Sequence, residues 1–136
     1  MKSMLLSLVL ALPTWAEIAS PAYLTDFVKA LDIPWPKNRT MTIVCHGHSV
    51  PAGYAKTPHV DTFVAYPHVL HRELKEKHPH AVINVIVTAI GGENSVSGAA
   101  RFQRDVLCHK PDIVLIDYAL NDRGVPLEKS ATCWQQ

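Results

Sequence analysis

Three short apolar runs set the limits on what this 136-residue chain can fold into. Residues 41–45 (M-T-I-V-C), 81–89 (A-V-I-N-V-I-V-T-A) and 113–116 (I-V-L-I) are rich in β-branched side chains. They are short for helices, and their near-continuous apolar character marks strands buried on both faces, as in parallel sheets. Between the first two runs, Phe63, Tyr66, Leu70 and Leu74 recur at helical spacing, with Arg72, Glu73, Lys75, Glu76 and Lys77 largely on the other faces. Between the second and third, Ser95 or Ser97 can cap a helix carrying Ala99, Phe102, Val106 and Leu107, which Pro111 ends. Strand, helix, strand, helix, strand predicts an α/β domain whose parallel sheet is covered by helices on both faces, with right-handed crossovers.

The flanks say less. Residues 1–16 read as a secretory signal: Lys2, an apolar stretch from Met4 to Leu12, then Thr14-Trp15-Ala16 before Glu17. The bland alternative is an upstream extension or the start of a helix. The apolar stretch is short of the roughly 20 residues that span a bilayer, so no transmembrane segment is expected. The location is then secreted or periplasmic, and otherwise cytoplasmic. Residues 17–37 read as an N-terminal helix and linker, with Ser20-Pro21 opening the helix, a stripe of Leu24, Phe27, Val28 and Leu31, and Ile33-Pro34-Trp35-Pro36 ending it. Residues 50–61 read as loop, and residues 130–136 have neither helical nor strand periodicity.

Composition excludes more than it selects. With 13 basic against 12 acidic residues, well mixed, nothing suggests a nucleic-acid partner. Three cysteines form no disulfide framework, and Cys45 reads as a small core residue. The eight histidines are scattered. Pairs such as His46 with His48, His68 with His71, and His78 with His80 lack a completed zinc ligand set nearby, so no metal or other cofactor is expected.

In open α/β sheets, ligands bind beyond the carboxyl ends of the strands. Each predicted strand runs out into a polar stretch there: Gly47-His48-Ser49, Gly91-Gly92-Glu93-Asn94, and Ala119-Leu120-Asn121-Asp122. Ser49 offers a hydroxyl nucleophile, which needs a base to remove its proton. Gly92 offers a backbone N–H unobstructed by a side chain, and Asn121 a carboxamide, both suited to an oxyanion. Taken singly, each is more often a turn or cap residue. Their shared position at the strand ends gives the set its weight.

In this order, G-H-S-V, I-G-G-E-N-S and A-L-N-D-R-G resemble blocks I, II and III of the SGNH (GDSL-type) hydrolases, over about residues 42–124. The resemblance implies a three-layer α/β/α, flavodoxin-like parallel sheet, of which about three of the family's five strands are legible, with the first strand between the second and third. It implies Ser49 as nucleophile, with an oxyanion hole formed by the Ser49 N–H, Gly92 N–H and the Asn121 side chain. Gly92 takes the role rather than Gly91, by register with the following E-N-S.

Two positions depart from the family pattern. Block I commonly has aspartate before the serine, where this chain has His48. Adjacent side chains on an extended turn point apart, so His48 is expected to shape the loop or meet substrate rather than act as base. Secondly, the family's D-x-x-H block, which supplies the base and its carboxylate, does not occur in the sequence, and no histidine follows His109. Residues 38–136 therefore read as a partial domain, cut short at the C-terminus. His46, His48 or His59 could approach Ser49, yet no carboxylate spacing singles one out.

The function expected is a serine ester hydrolase acting on a small-molecule, lipid or carbohydrate ester, in an oligomeric state the sequence leaves open. The alternative is a non-catalytic binding module on the same scaffold. A flavodoxin-like cofactor binder is disfavoured, because G-x-x-x-x-G-K-[ST] and G-x-G-x-x-G are both absent.

Overall fold

A computed structural model describes residue 22 and residues 24–135. The Ser20-Pro21 helix start and the candidate signal segment lie outside the described residues. All three strands form where the apolar runs predict them: β1 at Thr40–Gly47, β2 at Val82–Val87 and β3 at Ile113–Asp117. They make one parallel sheet in the order β2-β1-β3. The pairing sets Cys45 beside Val87 on one side of β1 and Gly47 beside Asp117 on the other.

Helix α1 (Thr25–Leu31) precedes the sheet, and α2 is a single turn, Ser49–Ala52. Helix α3 (Tyr66–Lys77) links β1 to β2, α4 (Ser95–Asp105) links β2 to β3, and α5 (Leu127–Trp134) follows. Side chains alternate across a strand with a period of two, so β1 feeds both faces of the sheet. Met41, Ile43 and Cys45 join Leu31, Ala81 and Ile83 in one core, against which Phe27, Leu70 and Leu74 pack from α1 and α3. Fully burying a Leu, Ile or Met side chain, as at Leu31, Met41 and Ile43, stabilises by about 1.5–3 kcal/mol each. Cys45 behaves as the expected core residue, and burial pushes its thiol pKa up to about 11. On the opposite face His46 lies edge-on to Phe102 of α4 and Tyr118.

Several local expectations need correction. Asn94, and neither Ser95 nor Ser97, caps α4: its side chain accepts from the N–H groups of Val96 and Ser97. That helix ends at Asp105, and a 3-10 turn at Leu107–His109 fills the gap before Pro111. Phe63 lies in a 3-10 turn ahead of α3 and is 78% exposed, so the stripe begins at Tyr66. The stretch after β1 contains α2 rather than loop alone. The tail is helical as α5, held by polar bonds that apolar periodicity does not register: Ser130 Oγ and Trp134 Nε1 both donate to Asp122 Oδ2, at 2.8 and 3.0 Å.

Candidate active site

The strand ends are tied together by hydrogen bonds. Ile90 N donates to Gly47 O at 3.0 Å, drawing the loop after β2 onto the end of β1. On the other side His48 N donates to Asp117 O at 3.1 Å. The Asn121 carboxamide closes the set, its Nδ2 donating to Glu93 O at 2.7 Å. The Ser49, Gly92 and Asn121 segments are thereby joined at the carboxyl edge of the sheet.

Gly47 makes the close approach possible. A β-carbon there would fall 2.6 Å from Asp117 O and 2.9 Å from Pro51 Cγ. The chain turns sharply at this point. The strand ends at Gly47, His48 is the N-cap residue and Ser49 the first residue of α2.

The turn corrects one premise about His48, that its side chain points away from that of Ser49. Its side chain and that of Ser49 converge, because the backbone passes from extended to helical between them rather than staying extended. His48 Nδ1 lies 3.3 Å from Ser49 Oγ and accepts from Val50 N–H at 3.2 Å. On the far side of the ring, Nε2 sits 3.2 Å from Asp117 Oδ1. That contact is off the N–H direction, an ion-pair distance without in-line hydrogen-bond geometry. The imidazole is 1% exposed and Ser49 half-buried.

The closeness of Asp117 to His48 was not legible in the sequence, since it depends on β1 and β3 lying side by side in register. The family strand order was the signal that could have exposed it.

Gly92 adopts φ +85°, the left-handed region that glycine enters without strain, and a β-carbon there would meet nothing within 4 Å. Asn121 begins a 3-10 turn, Asn121–Gly124. Its amide carries two N–H bonds, of which one is committed to Glu93 O.

Around these groups lies a charged brace. Arg101, buried on α4, reaches Glu93 Oε2 at 2.6 Å, Thr88 O at 2.6 Å, Asp105 at 3.1 Å and the Tyr118 hydroxyl at 3.2 Å. Glu93 is spent on this pair. Asp122 helps cap α4, with Oδ1 accepting from Ser95 N–H at 2.8 Å. Arg123 Nε donates to Leu120 O at 2.9 Å.

Two other histidines, His46 and His78, are held by partners elsewhere. His46 Nδ1 meets Thr88 Oγ1 at 2.8 Å and Nε2 meets Gly98 O at 3.1 Å, while burial lowers its pKa. His59 is exposed in the loop, its backbone bridged to Lys56, and His78 pairs with Asp32 at 2.6 Å. Among the described residues no three His, Cys, Asp or Glu side chains converge to hold a metal, and no helix is long and apolar enough to cross a membrane.

An apolar groove of about 290 Å³, lined by Val50, Tyr54, Val64, Ala65 and Tyr66, lies beside α2. A cavity of about 130 Å³ between α4 and α5 is lined by His46, Phe102, Tyr118 and Trp134, and by none of Ser49, Gly92 or Asn121.

A three-layer arrangement with a serine, a glycine turn and an asparagine at adjoining strand ends defines an α/β protein of the SGNH type. Residues 45–135 match the GDSL-like lipase/acylhydrolase family, and the chain belongs to that family. Comparison with curated protein sequences gave no match. Among solved structures it resembles a two-domain esterase active on acetylated mannans, co-crystallised with mannopentaose, at 25% identity and a TM-score of 0.63, covering 73% of this chain and 25% of that one. It also resembles the psychrotrophic esterase EstA from Pseudoalteromonas sp. inhibited by monoethylphosphonate (25% identity, TM-score 0.57, 68% of this chain and 49% of that one). A third likeness is the lipase/acylhydrolase from Enterococcus faecalis (27% identity, TM-score 0.51, 62% and 42%). The chain thus spans between a quarter and a half of the length of these structures.

Proposed function

We propose that Ser49 is the nucleophile of an ester hydrolase acting on an acyl or acetyl ester of a small molecule, lipid or carbohydrate. Ser49 Oγ bonds to the carbonyl carbon, and the carbonyl oxygen takes up the negative charge. The N–H groups of Ser49 and Gly92 and the uncommitted N–H of Asn121 receive that charge. Collapse of the tetrahedral intermediate expels the alcohol and leaves the acyl group on Ser49, and water then releases the acid. The observation that carries this reading is the set of hydrogen bonds joining the three segments at the strand ends. Kinship with esterases, one of them inhibited by a phosphonate and another active on acetylated mannans, supports the same chemistry.

A binding module without turnover is the second reading, favoured by the share of the Asn121 amide already spent on Glu93 O. Hydrolysis of p-nitrophenyl acetate separates the two. Ester hydrolysis predicts turnover abolished by Ser49→Ala, and a kcat about 10²–10³-fold lower in Asn121→Ala, the usual worth of one oxyanion donor. Activity unchanged by Ser49→Ala contradicts the proposal.

A further inference from the structure

A nucleophilic serine needs a base, and in this structure His48 Nδ1 lies 3.3 Å from Ser49 Oγ. Resting on the reading of Ser49 as nucleophile, we propose that His48 is its general base and that Asp117, at the end of β3, orients the His48 ring.

The hydrogen bonds determine where the ring proton sits. Val50 N–H can only donate, so the nitrogen it meets at 3.2 Å, Nδ1, must carry the lone pair. The proton is then on Nε2, on the side of the Asp117 carboxylate 3.2 Å away. The one lone pair on Nδ1 is therefore shared between Val50 N–H and Ser49 Oγ, which lies at 3.3 Å. Apo contacts of this length commonly tighten when substrate is bound. The group order is serine, imidazole, carboxylate, the logic of the hydrolytic triads, with Nδ1 rather than Nε2 facing the serine.

The proton balance closes. The Oγ–H proton passes to Nδ1 as Oγ bonds to the ester carbon, giving an imidazolium whose Nε2 lies at ion-pair distance, 3.2 Å, from Asp117 Oδ1. Nδ1–H then delivers the proton to the departing alkoxide as the C–O bond breaks. In deacylation the same nitrogen takes a proton from water and returns it to Ser49. Val50 N–H loses its acceptor while the imidazolium lasts, and attraction between the imidazolium and Asp117 offsets that loss. Burial strengthens the attraction, because the ring is shut off from water.

A purely structural role for His48 would be to cap α2 through Val50. His48→Asn separates the two roles, since asparagine caps helices well but cannot take the proton. The rate of Ser49 phosphonylation by a fluorophosphonate is measured in the 136-residue chain, with the thermal unfolding midpoint as control. His48→Asn is expected to label at least 10²-fold more slowly, the low end of what a general base contributes. Labelling within threefold of the parent sinks the role of His48 while leaving Ser49 as nucleophile. Absence of Ser49-dependent labelling in the parent instead removes the nucleophile and this inference together.

Should His48→Asn fail to fold, the unaltered chain gives the answer through its phenylboronic acid adduct. Tetrahedral boronate on Ser49 leaves one proton for the base, so the ¹⁵N shifts of His48 are expected to report both ring nitrogens protonated. A bare Nδ1 in that adduct overturns the proposal. Asp117→Asn is expected to lower the protonated fraction in the adduct, and an unchanged fraction removes Asp117 as the positioning residue.

Discussion

At the residue scale, Gly47 shows how one absent side chain sets up the chemistry. Its Cα faces Asp117 across the β1–β3 ladder, and a methyl group there would strike both the Asp117 carbonyl and Pro51. Gly47→Ala is therefore expected to destabilise the fold by about 1–3 kcal/mol, as overpacking does. It should also move Asp117 away from His48, and denaturant unfolding together with Ser49 labelling would register both effects. An alanine variant as stable as the parent contradicts the close approach. Ser49, Gly92 and Asn121 stood out as candidates in the sequence because each follows a strand that is legible by itself. His48 was misjudged because its direction depends on a switch from strand to helix within one residue, which β propensity does not encode. Asp117 escaped notice because its closeness to His48 is a property of sheet order and register.

At the element scale, the three strands and the two crossover helices were legible since burial on both faces leaves continuous apolar runs and packing on one face leaves a helical stripe. Helix α5 was not. Its anchor is Asp122, which receives Ser130 and Trp134 from α5 and the Ser95 N–H from α4, a junction made of polar bonds. Burial works against the Asp122 carboxylate, but the hydrogen bonds from Ser95, Trp134 and Ser130 outweigh it and hold its pKa below the ordinary value. A carboxyl depressed in the folded state stabilises above its unfolded pKa, and that contribution is lost as pH falls through the folded value. Asp122→Ala is expected to cost about 1.5–3 kcal/mol at pH 7, the worth of a hydrogen bond to a charged group. The gap between variant and parent should close below about pH 4, where carboxyls protonate. Urea unfolding at several pH values would follow it, and a gap independent of pH would contradict the charged role of Asp122.

At the scale of the whole molecule, the sheet order β2-β1-β3 turns three separated sequence segments into neighbours. Because β1 is central, the end of β1 is bonded to the segments on both sides, Ile90 N–H to Gly47 O and His48 N–H to Asp117 O. Parallel strands also send all three segments to the same edge, which an antiparallel meander would not do. The same topology accounts for Arg101: one buried guanidinium on α4 braces the end of β2, the Glu93 loop and Tyr118 after β3. The bracing of these strand ends thus comes from the sheet and its covering helices together.

A crystal structure of the Ser49 phosphonate adduct tests that convergence most directly. The account predicts phosphorus on Ser49 Oγ and the phosphoryl oxygen about 2.7–3.1 Å from both the Gly92 N–H and the Asn121 amide, the geometry of an oxyanion hole. A phosphoryl oxygen turned toward solvent, with neither donor in reach, would contradict it.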